Sequence, residues 1–576
     1  MTLPPDVASR LRRLVLDNSI EHGGAARPGP ILSRILGSDP SLRSRAPELR
    51  SALEGIVAEV GAMPLEVQRA ELERLGGKEA PPDRGRALAT EGVLPDLPGA
   101  VDGQVVLRLA PFPSGALHVG NARMLYVNDH YRKRYHGRLL LVFDDTVGSK
   151  EKRIAPELFD VIRNDLDLAH VPPDEVLYKS DRLPIVYQWA RRVIDAGGAY
   201  VCRCPSEVLQ ARRARGEPCP ERTQSLPETQ ELWTRMLAGE FAEGEAVLRL
   251  RTDLADPDPA FRDRVLCRLS DLDHPRVGRR WRVWPMLEFS WAVDDIELGI
   301  THVLRGKDLV MEDRMERYIW DLLGIRGPPF LHWGLLRVAE AKISKSKGYA
   351  QVKSGEYDGW ADPRLWSIDS LDRRGIRPDA LRRFTLGFGL SLADIEVPAE
   401  TLYAENRQIL DPTTPRRYFV EDPVAVEVSG YPSELSEIEL ANHPERAELG
   451  GRRVPAGPLF WLSGRDVRAH LGEEIRLKDH ANIELPRELA PTGPTIARFT
   501  SRENRRLPRF QWVGGRGAVP VDLLDPDGSH RRGLGENALR GASPRDIYQF
   551  ERVGFVRVEA DWSPGSEPLR VCFGHP

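Results

Sequence analysis

Cysteine is scarce in this chain: five among 576 residues, at Cys202, Cys204, Cys219, Cys267 and Cys572. A small, odd set of thiols argues against a disulfide framework and for a reducing compartment. Long apolar runs are missing too. No stretch approaches the roughly eighteen residues a membrane helix needs, and "MTLPPDVASRLRRLVLDNS" holds no apolar core of signal-peptide length. The expectation is a soluble, cytoplasmic protein with no membrane partner. Charge of one sign is not in excess either: 82 Lys and Arg face 86 Asp and Glu, for a net charge of −4. No global basic field marks a nucleic-acid partner, so such binding must come from local patches. Internal repeats and low-complexity tracts are absent as well, which sets aside a repeat architecture.

What is present reads as a multidomain globular chain. The length exceeds one core, and about three to five domains are expected. Residues up to about 90 carry apolar positions at three- and four-residue spacing, as in "APELRSALEGIVAEVGAMPLEVQRAELERL". Lys78 to Gly103 reads as a linker on its Pro, Gly and charge content. Then "GQVVLRLA" predicts a strand, "LHVGNARMLYVNDHYRKRYHG" a helix with Gly137 just past its end, and "RLLLVF" a buried parallel strand. Strand, helix, strand is a βαβ unit. Beyond about residue 400, short β-like runs between turns suggest a barrel or paired barrels.

Two stretches carry chemistry. In "APFPSGALHVGN", Pro111 and Gly115 crowd the turn before a helix that opens on His118, Gly120 and Asn121. Glycine there costs about 1 kcal/mol against alanine, so a use is expected. At a strand-to-helix turn a nucleotide phosphate meets the helix N-terminus, a glycine permits close approach, and a histidine donates to phosphate oxygens. "KISKSKG" (Lys342 to Gly348) packs lysines and serines into a loop, suiting a mobile lid that meets charge on a pentavalent phosphate.

Together these stretches resemble the HIGH and KMSKS signatures of class I aminoacyl-tRNA synthetases, with Asn121 where the first signature has a second histidine. "FDDT", "DEVLYKSDR", "AYVCRCP", "HPRVG", "VWPMLEFSWAVDD" and "HVLRGKDL" are similar to glutamyl-tRNA synthetases of the archaeal type over nearly the whole chain. The resemblance implies an α/β Rossmann-type catalytic core split by an acceptor-binding insert, preceded by a helical region and followed by β-barrel anticodon-binding domains. The expected boundaries are 1–100 (helical region and linker), 101–180 and 284–340 (Rossmann halves), 181–283 (insert), 341–400 (lysine loop and stem-contact helices) and 401–576 (barrels). It implies activation of L-glutamate with ATP and Mg2+, then transfer to the 3′ end of tRNA-Glu, with tRNA-Gln left open and a monomer expected. His118, Lys342 and Lys345 would be catalytic, and Pro111, Gly115, His118, Gly120, Asn121, Ser344 and Lys345 would bind ATP.

A guanidinium fork suits a carboxylate, and Arg108 and Arg305 match the family's substrate-facing arginines. Asp144 matches the acidic residue that meets the α-ammonium. Arginine at 305 favours glutamate, since glutaminyl enzymes carry a neutral residue there. Val142, Val147 and Leu287 depart from the family's pattern. Cys202, Cys204 and Cys219 fall where some relatives place four zinc ligands, with Glu221 at the fourth position. Either three thiolates and a carboxylate hold Zn2+, or the metal has been lost. Arginines among aromatics in "ARFTSRENRRLPRFQW", notably Arg505, Arg509 and Trp512, suit single-stranded RNA. The alternatives are a glutaminyl-tRNA synthetase and a catalytically silent tRNA-binding scaffold.

Overall fold

The computed structural model describes residues 5–21, 26, 28, 31, 46–75, 94–147, 154–341, 345–563 and 565–576. They belong to two units, residues 1–92 and 93–576. In the first, helices α1 (Pro5–Glu21), α2 (Ala46–Gly61) and α3 (Leu65–Arg74) bury Leu11, Leu14, Leu49, Leu53 and Leu72 against one another. Arg12 reaches Glu59 at 2.6 Å and Glu71 at 2.8 Å.

The second unit begins with two successive βαβ units. Strands β1 (Val106–Leu109), β2 (Arg138–Phe143) and β3 (Glu175–Tyr178) lie parallel in that order, joined by α4 (Ala122–Arg134) and α5 (Glu157–Leu168). In β2 every residue after Arg138 is buried: Leu139, Leu141 and Phe143 enter one core, Leu140 and Val142 another. A sheet covered on both faces asks for that unbroken apolar run, at about 1.5–3 kcal/mol per buried side chain. The end of α4 departs from expectation. His136, not Gly137, takes the left-handed conformation (φ 45°). Gly137 is needed because a Cβ there would lie 2.3 Å from the Val105 carbonyl oxygen.

After β3 the chain builds an antiparallel sheet of β4 (Ala199–Cys202), β5 (Val247–Leu250), β6 (Val265–Leu269) and β7 (Val283–Pro285). It returns through α6 (Leu287–Glu297) to β8 (Val303–Gly306), α7 (Val310–Leu322) and β9 (Phe330–Trp333), with β8 and β9 parallel. Thr301 N–H donates to the Val106 carbonyl and Val106 N–H to Thr301 Oγ1, both at 3.0 Å, which sets β8 beside β1. The strand order is therefore β9-β8-β1-β2-β3, and it reverses between β1 and β8. Ligands of such sheets sit at that switch point, outside the carboxyl ends of the strands. Beyond it, β10 (Leu336–Val338) pairs with β11 (Ile395–Val397). Buried Arg123 of α4 ties this region back, donating to Gly334 C=O (2.7 Å) and Gly389 C=O (2.5 Å).

The carboxy-terminal region is two closed barrels, one nested in the other. Residues 416–421 pair at one end with Ile547–Phe550 and at the other with His530–Gly535, closing one sheet on itself. Residues 509–514 do the same between Glu474–Leu477 and Leu459–Ser463. The second barrel is inserted in sequence between the first barrel's opening strand and its remainder, and the pairing of residues 416–421 and 509–514 at both ends leaves neither sheet an open edge. No described helix is long and apolar enough to cross a membrane.

Candidate active site

His118 caps the 3-10 turn Val119–Asn121 that leads into α4. Gly120 N–H donates to His118 Nδ1 (3.1 Å) and His118 N–H donates to Asn121 Oδ1 (3.2 Å), a reciprocal capping box. With Nδ1 accepting, the neutral ring carries its proton on Nε2, as a donor. The turn is pinned by Val119 N–H to Trp366 C=O (3.1 Å) and Ile368 N–H to Leu117 C=O (2.9 Å). A Cβ at Gly120 would stand 2.9 Å from His118 Cε1 and 3.0 Å from Nδ1. The glycine is there because the imidazole lies over it; its φ is not positive. Pro111 and Gly115 are buried in the loop between β1 and this turn, and Pro111 C=O accepts Asp144 N–H (3.1 Å).

Across from the turn a cleft of about 540 Å³ is lined by His118, Gly120, Asn121, Leu336, Val338 and Glu396. Residues 335, 337 and 339 bond β11, so the main-chain groups of Leu336 and Val338 point away from it. Lys342 and Ser344 lie outside the described residues. Lys345 opens α8 (Lys345–Lys353), and its side chain lies outside them too.

Below the turn, the carboxyl ends of β1, β2, β3 and β8 bring buried charges together around Trp291 of α6. Arg108, Lys179 and Arg305 sit 4.9, 5.1 and 4.8 Å from the centroid of its ring, contacts worth about 0.5–2 kcal/mol each. Arg108 forks onto Asp295, with Nη2 donating to Oδ2 at 2.8 Å. Arg305 donates through Nε to Asp313 Oδ1 (2.8 Å) and through Nη2 to Glu316 Oε1 (2.8 Å). His332 Nε2 lies 2.8 Å from the other oxygen of Asp313. Burial pushes the Glu316 carboxyl up to about 8, against the pull of Arg305 and Arg108.

Asp144 lies 3.3 Å from Lys179 Nζ, which also donates to Ser290 Oγ (2.5 Å). Burial pulls the Lys179 ammonium down, and Asp144 and Asp294 counter it. Asp145, its neighbour, accepts Ser180 N–H (2.9 Å) and Ser180 O–H (2.7 Å), while His274 Nε2 reaches the Asp145 carbonyl at 2.7 Å. "HPRVG" thus buttresses "FDDT". Sequence reasoning missed Lys179, Trp291, Asp295, Asp313 and Glu316. Lys179, Trp291 and Asp295 did lie inside quoted motifs, but an ion pair between positions 108 and 295 leaves no local pattern.

Cys202, Cys204, Cys219 and Glu221 do converge: the Cys219 sulfur is 3.2 Å from each of the other two and 3.5 Å from Glu221 Oε2. All four donor atoms lie within 4.8 Å of one another. In the nested barrel, Arg505 and Arg509 are exposed, with Arg505 Nη2 donating to Ser501 Oγ at 2.9 Å. Trp512 corrects the expectation. It is fully buried, its Nε1 donating to Lys478 C=O (3.0 Å), and so is Phe510 nearly. Both rings point into the barrel, out of reach of a stacked base.

This geometry can be set beside known proteins. Residues 104–412 match the family model "tRNA synthetases class I (E and Q), catalytic domain". Residues 414–497 and 510–559 match two models of the "tRNA synthetases class I (E and Q), anti-codon binding domain". A glutamate–tRNA ligase of Pyrococcus abyssi is 38% identical over 559 residues, 95% of this chain and 96% of its own length. Those of Pyrococcus horikoshii (39%, covering 96% and 97%) and Methanopyrus kandleri (38%, covering 98% of each) are similar over the same extent.

Proposed function

This chain belongs to the class I tRNA synthetases for glutamate and glutamine, and from that premise we propose the reaction it carries out: the ATP-dependent joining of L-glutamate to tRNA. ATP, as its Mg2+ complex, is a substrate. In the first step a carboxylate oxygen of glutamate attacks the α-phosphorus. The new P–O bond forms as the bond to the β-phosphate breaks, and pyrophosphate leaves. In the second, a hydroxyl at the tRNA 3′ end attacks the activated carbonyl and AMP leaves.

The nucleotide lies between the His118 turn and β10 in this reading. Nε2–H of His118 donates to phosphate oxygens as charge builds on them, Gly120 leaves the imidazole room to lie over the turn, and Asn121 holds the turn. The main-chain edge at Leu336 and Val338, where the Val338 carbonyl accepts Ala341 N–H (3.0 Å), leaves the Leu336 carbonyl and Val338 N–H to suit the hydrogen-bonding rim of a base. Lys342, Ser344 and Lys345, on their likeness to the lysine signature, would supply charge and hydroxyl donors to the phosphates. This is electrostatic stabilisation by pre-set donors, with no covalent enzyme intermediate.

One observation carries the choice of amino acid. Arg305 is buried at the carboxyl end of β8, and its Nη1 has no protein partner among the described residues. A buried guanidinium with a spare N–H group suits a carboxylate. Arg108 would face the substrate beside it, and Asp144, held by Lys179, the α-ammonium. Cys202, Cys204, Cys219 and Glu221 fit a zinc ion, being three soft donors and a carboxylate in one cluster. There the metal would clasp β4 to the turn at 219–223. It would have a structural role in an insert that holds the tRNA acceptor end.

The test is aminoacylation of separately purified tRNA-Glu and tRNA-Gln, each with radiolabelled glutamate and glutamine. Glutamate on tRNA-Glu is the expected product. Glutamate on tRNA-Gln as well would keep the amino-acid assignment and imply a downstream amidotransferase. Glutamine transfer would overturn it, and no transfer at all would favour the silent scaffold.

A further inference from the structure

We propose that Glu316 determines amino-acid specificity together with Arg305: Glu316 Oε2 and Arg305 Nη1 take the two oxygens of the substrate's side-chain carboxylate. The inference rests on the glutamate reading above and adds a second residue to it.

The two side chains share one hydrogen bond, Arg305 Nη2 to Glu316 Oε1 at 2.8 Å. The remaining terminal atom of each, Nη1 and Oε2, is buried and has no partner among the described residues. Arg305 is 5% exposed and Glu316 not at all. An unpaired polar atom in a protein interior is costly, and native folds rarely keep one. Here two adjoin, on either side of one hydrogen bond, at the switch point of the sheet. A ligand group with two oxygens on one carbon spans such a pair.

What Oε2 offers depends on its proton. As a neutral acid Glu316 donates an O–H beside the N–H of Nη1, and two donors meet the two oxygens of a carboxylate. Ionised, it would repel a carboxylate and accept from an amide N–H. Its surroundings are mixed. Arg305 faces it from β8, Arg108 from β1 and Asp295 from α6, while Asp313 on its own helix is shared with His332 of β9. Burial outweighs the two arginines and favours the neutral acid near neutral pH.

The experiment is steady-state aminoacylation of purified tRNA-Glu with glutamate between pH 7 and 9, using the full-length wild type, Glu316→Gln and Glu316→Ala. With Glu316 pushed up to about 8, the wild-type KM for glutamate should rise about tenfold across that range as the donor is lost. Glutamine at 316 donates an N–H at every pH, so in E316Q the ratio should fall to about one. The α-ammonium of free glutamate titrates equally against both enzymes and cancels in the comparison. E316A should raise KM at pH 7 by about tenfold or more, with a smaller change in kcat. Parallel rises in wild type and E316Q would overturn the proposal, as would an E316A enzyme with unmoved KM. E316Q is isosteric and keeps the test standing if E316A fails to fold. Wild type that charges no glutamate at any pH would overturn the activity itself, a different result from parallel curves.

Discussion

Gly120→Ala is the sharpest probe of the nucleotide turn, because the structure separates its effect on chemistry from its effect on folding. The added methyl would stand 2.9 Å from His118 Cε1, closer than carbon atoms tolerate, so the imidazole must move. The backbone need not: φ at Gly120 is not positive, and the residue is exposed. Moving the ring lengthens or breaks the 3.1 Å bond from Gly120 N–H to Nδ1, worth about 1 kcal/mol. Stability should therefore fall by no more than about that. Catalysis should suffer far more, since a misplacement of about 1 Å in a catalytic group costs around a hundredfold, or roughly 2.7 kcal/mol of barrier. The assay is pyrophosphate exchange with glutamate, ATP and tRNA present, alongside thermal melting. His118→Ala supplies the control. If Gly120 acts through the histidine, the double variant should be no slower than H118A, so the two losses should be strongly non-additive. A G120A enzyme within about threefold of wild type, or losses that multiply, would refute the argument.

Other consequences follow from single groups. Buried Asp129 of α4 is met by Arg382 (2.5 Å), Arg132 (2.7 Å) and Lys133 (2.8 Å). Burial alone would raise its carboxyl, but those hydrogen bonds hold it below the ordinary value. Its contribution is therefore complete above the unfolded value near about 4 and lost as pH falls further. Asp129→Asn should cost about 3 kcal/mol near neutrality, and denaturant melts should show the gap to wild type narrowing as pH falls below about 4. Trp512→Ala should destabilise the nested barrel by about 3–5 kcal/mol, seen by calorimetry. Arg509→Ala should leave melting alone but lower the salt dependence of tRNA binding by nearly one unit of slope; an unchanged slope would remove Arg509 from the interface. Purified enzyme should carry one zinc per chain by elemental analysis, and Cys219→Ser should lose it.

How much of this was legible beforehand depends on whether the cause is local. The run "RLLLVF" announces a strand buried on both faces because one segment supplies the whole signal. The His118 turn is legible for the same reason, as a short string whose residue types suit phosphate. Barrel closure is not of that kind. Residues 416–421 and 509–514 each pair with two partners at opposite ends, and no window of sequence contains both. Trp512 was a different failure. In "RFQWVG", Phe510 and Trp512 alternate with polar Arg509 and Gln511, and period two alone says that the aromatics share the inward face. Composition suggested stacking on RNA, yet the spacing already argued against it.

The amino-acid pocket was the least legible part, and the reason is electrostatic. Matching Arg108 and Arg305 to a substrate treats each as a free fork, but a buried guanidinium without a counter-charge is too costly to fold around. The chain must supply carboxylates for them, and it does so from α6 and α7 with Asp295 for Arg108 and Asp313 for Arg305, while Glu316 adds a hydrogen-bond acceptor. Those partners decide what each arginine has left to offer a ligand. Acidic partners occupy Nε and Nη2 of both arginines, and Arg305 is left with a buried Nη1 that has no partner among the described residues. Specificity in such a site is therefore not a property of the arginine that a motif names. It belongs to the atoms its internal partners leave unpaired, which only the folded chain reveals.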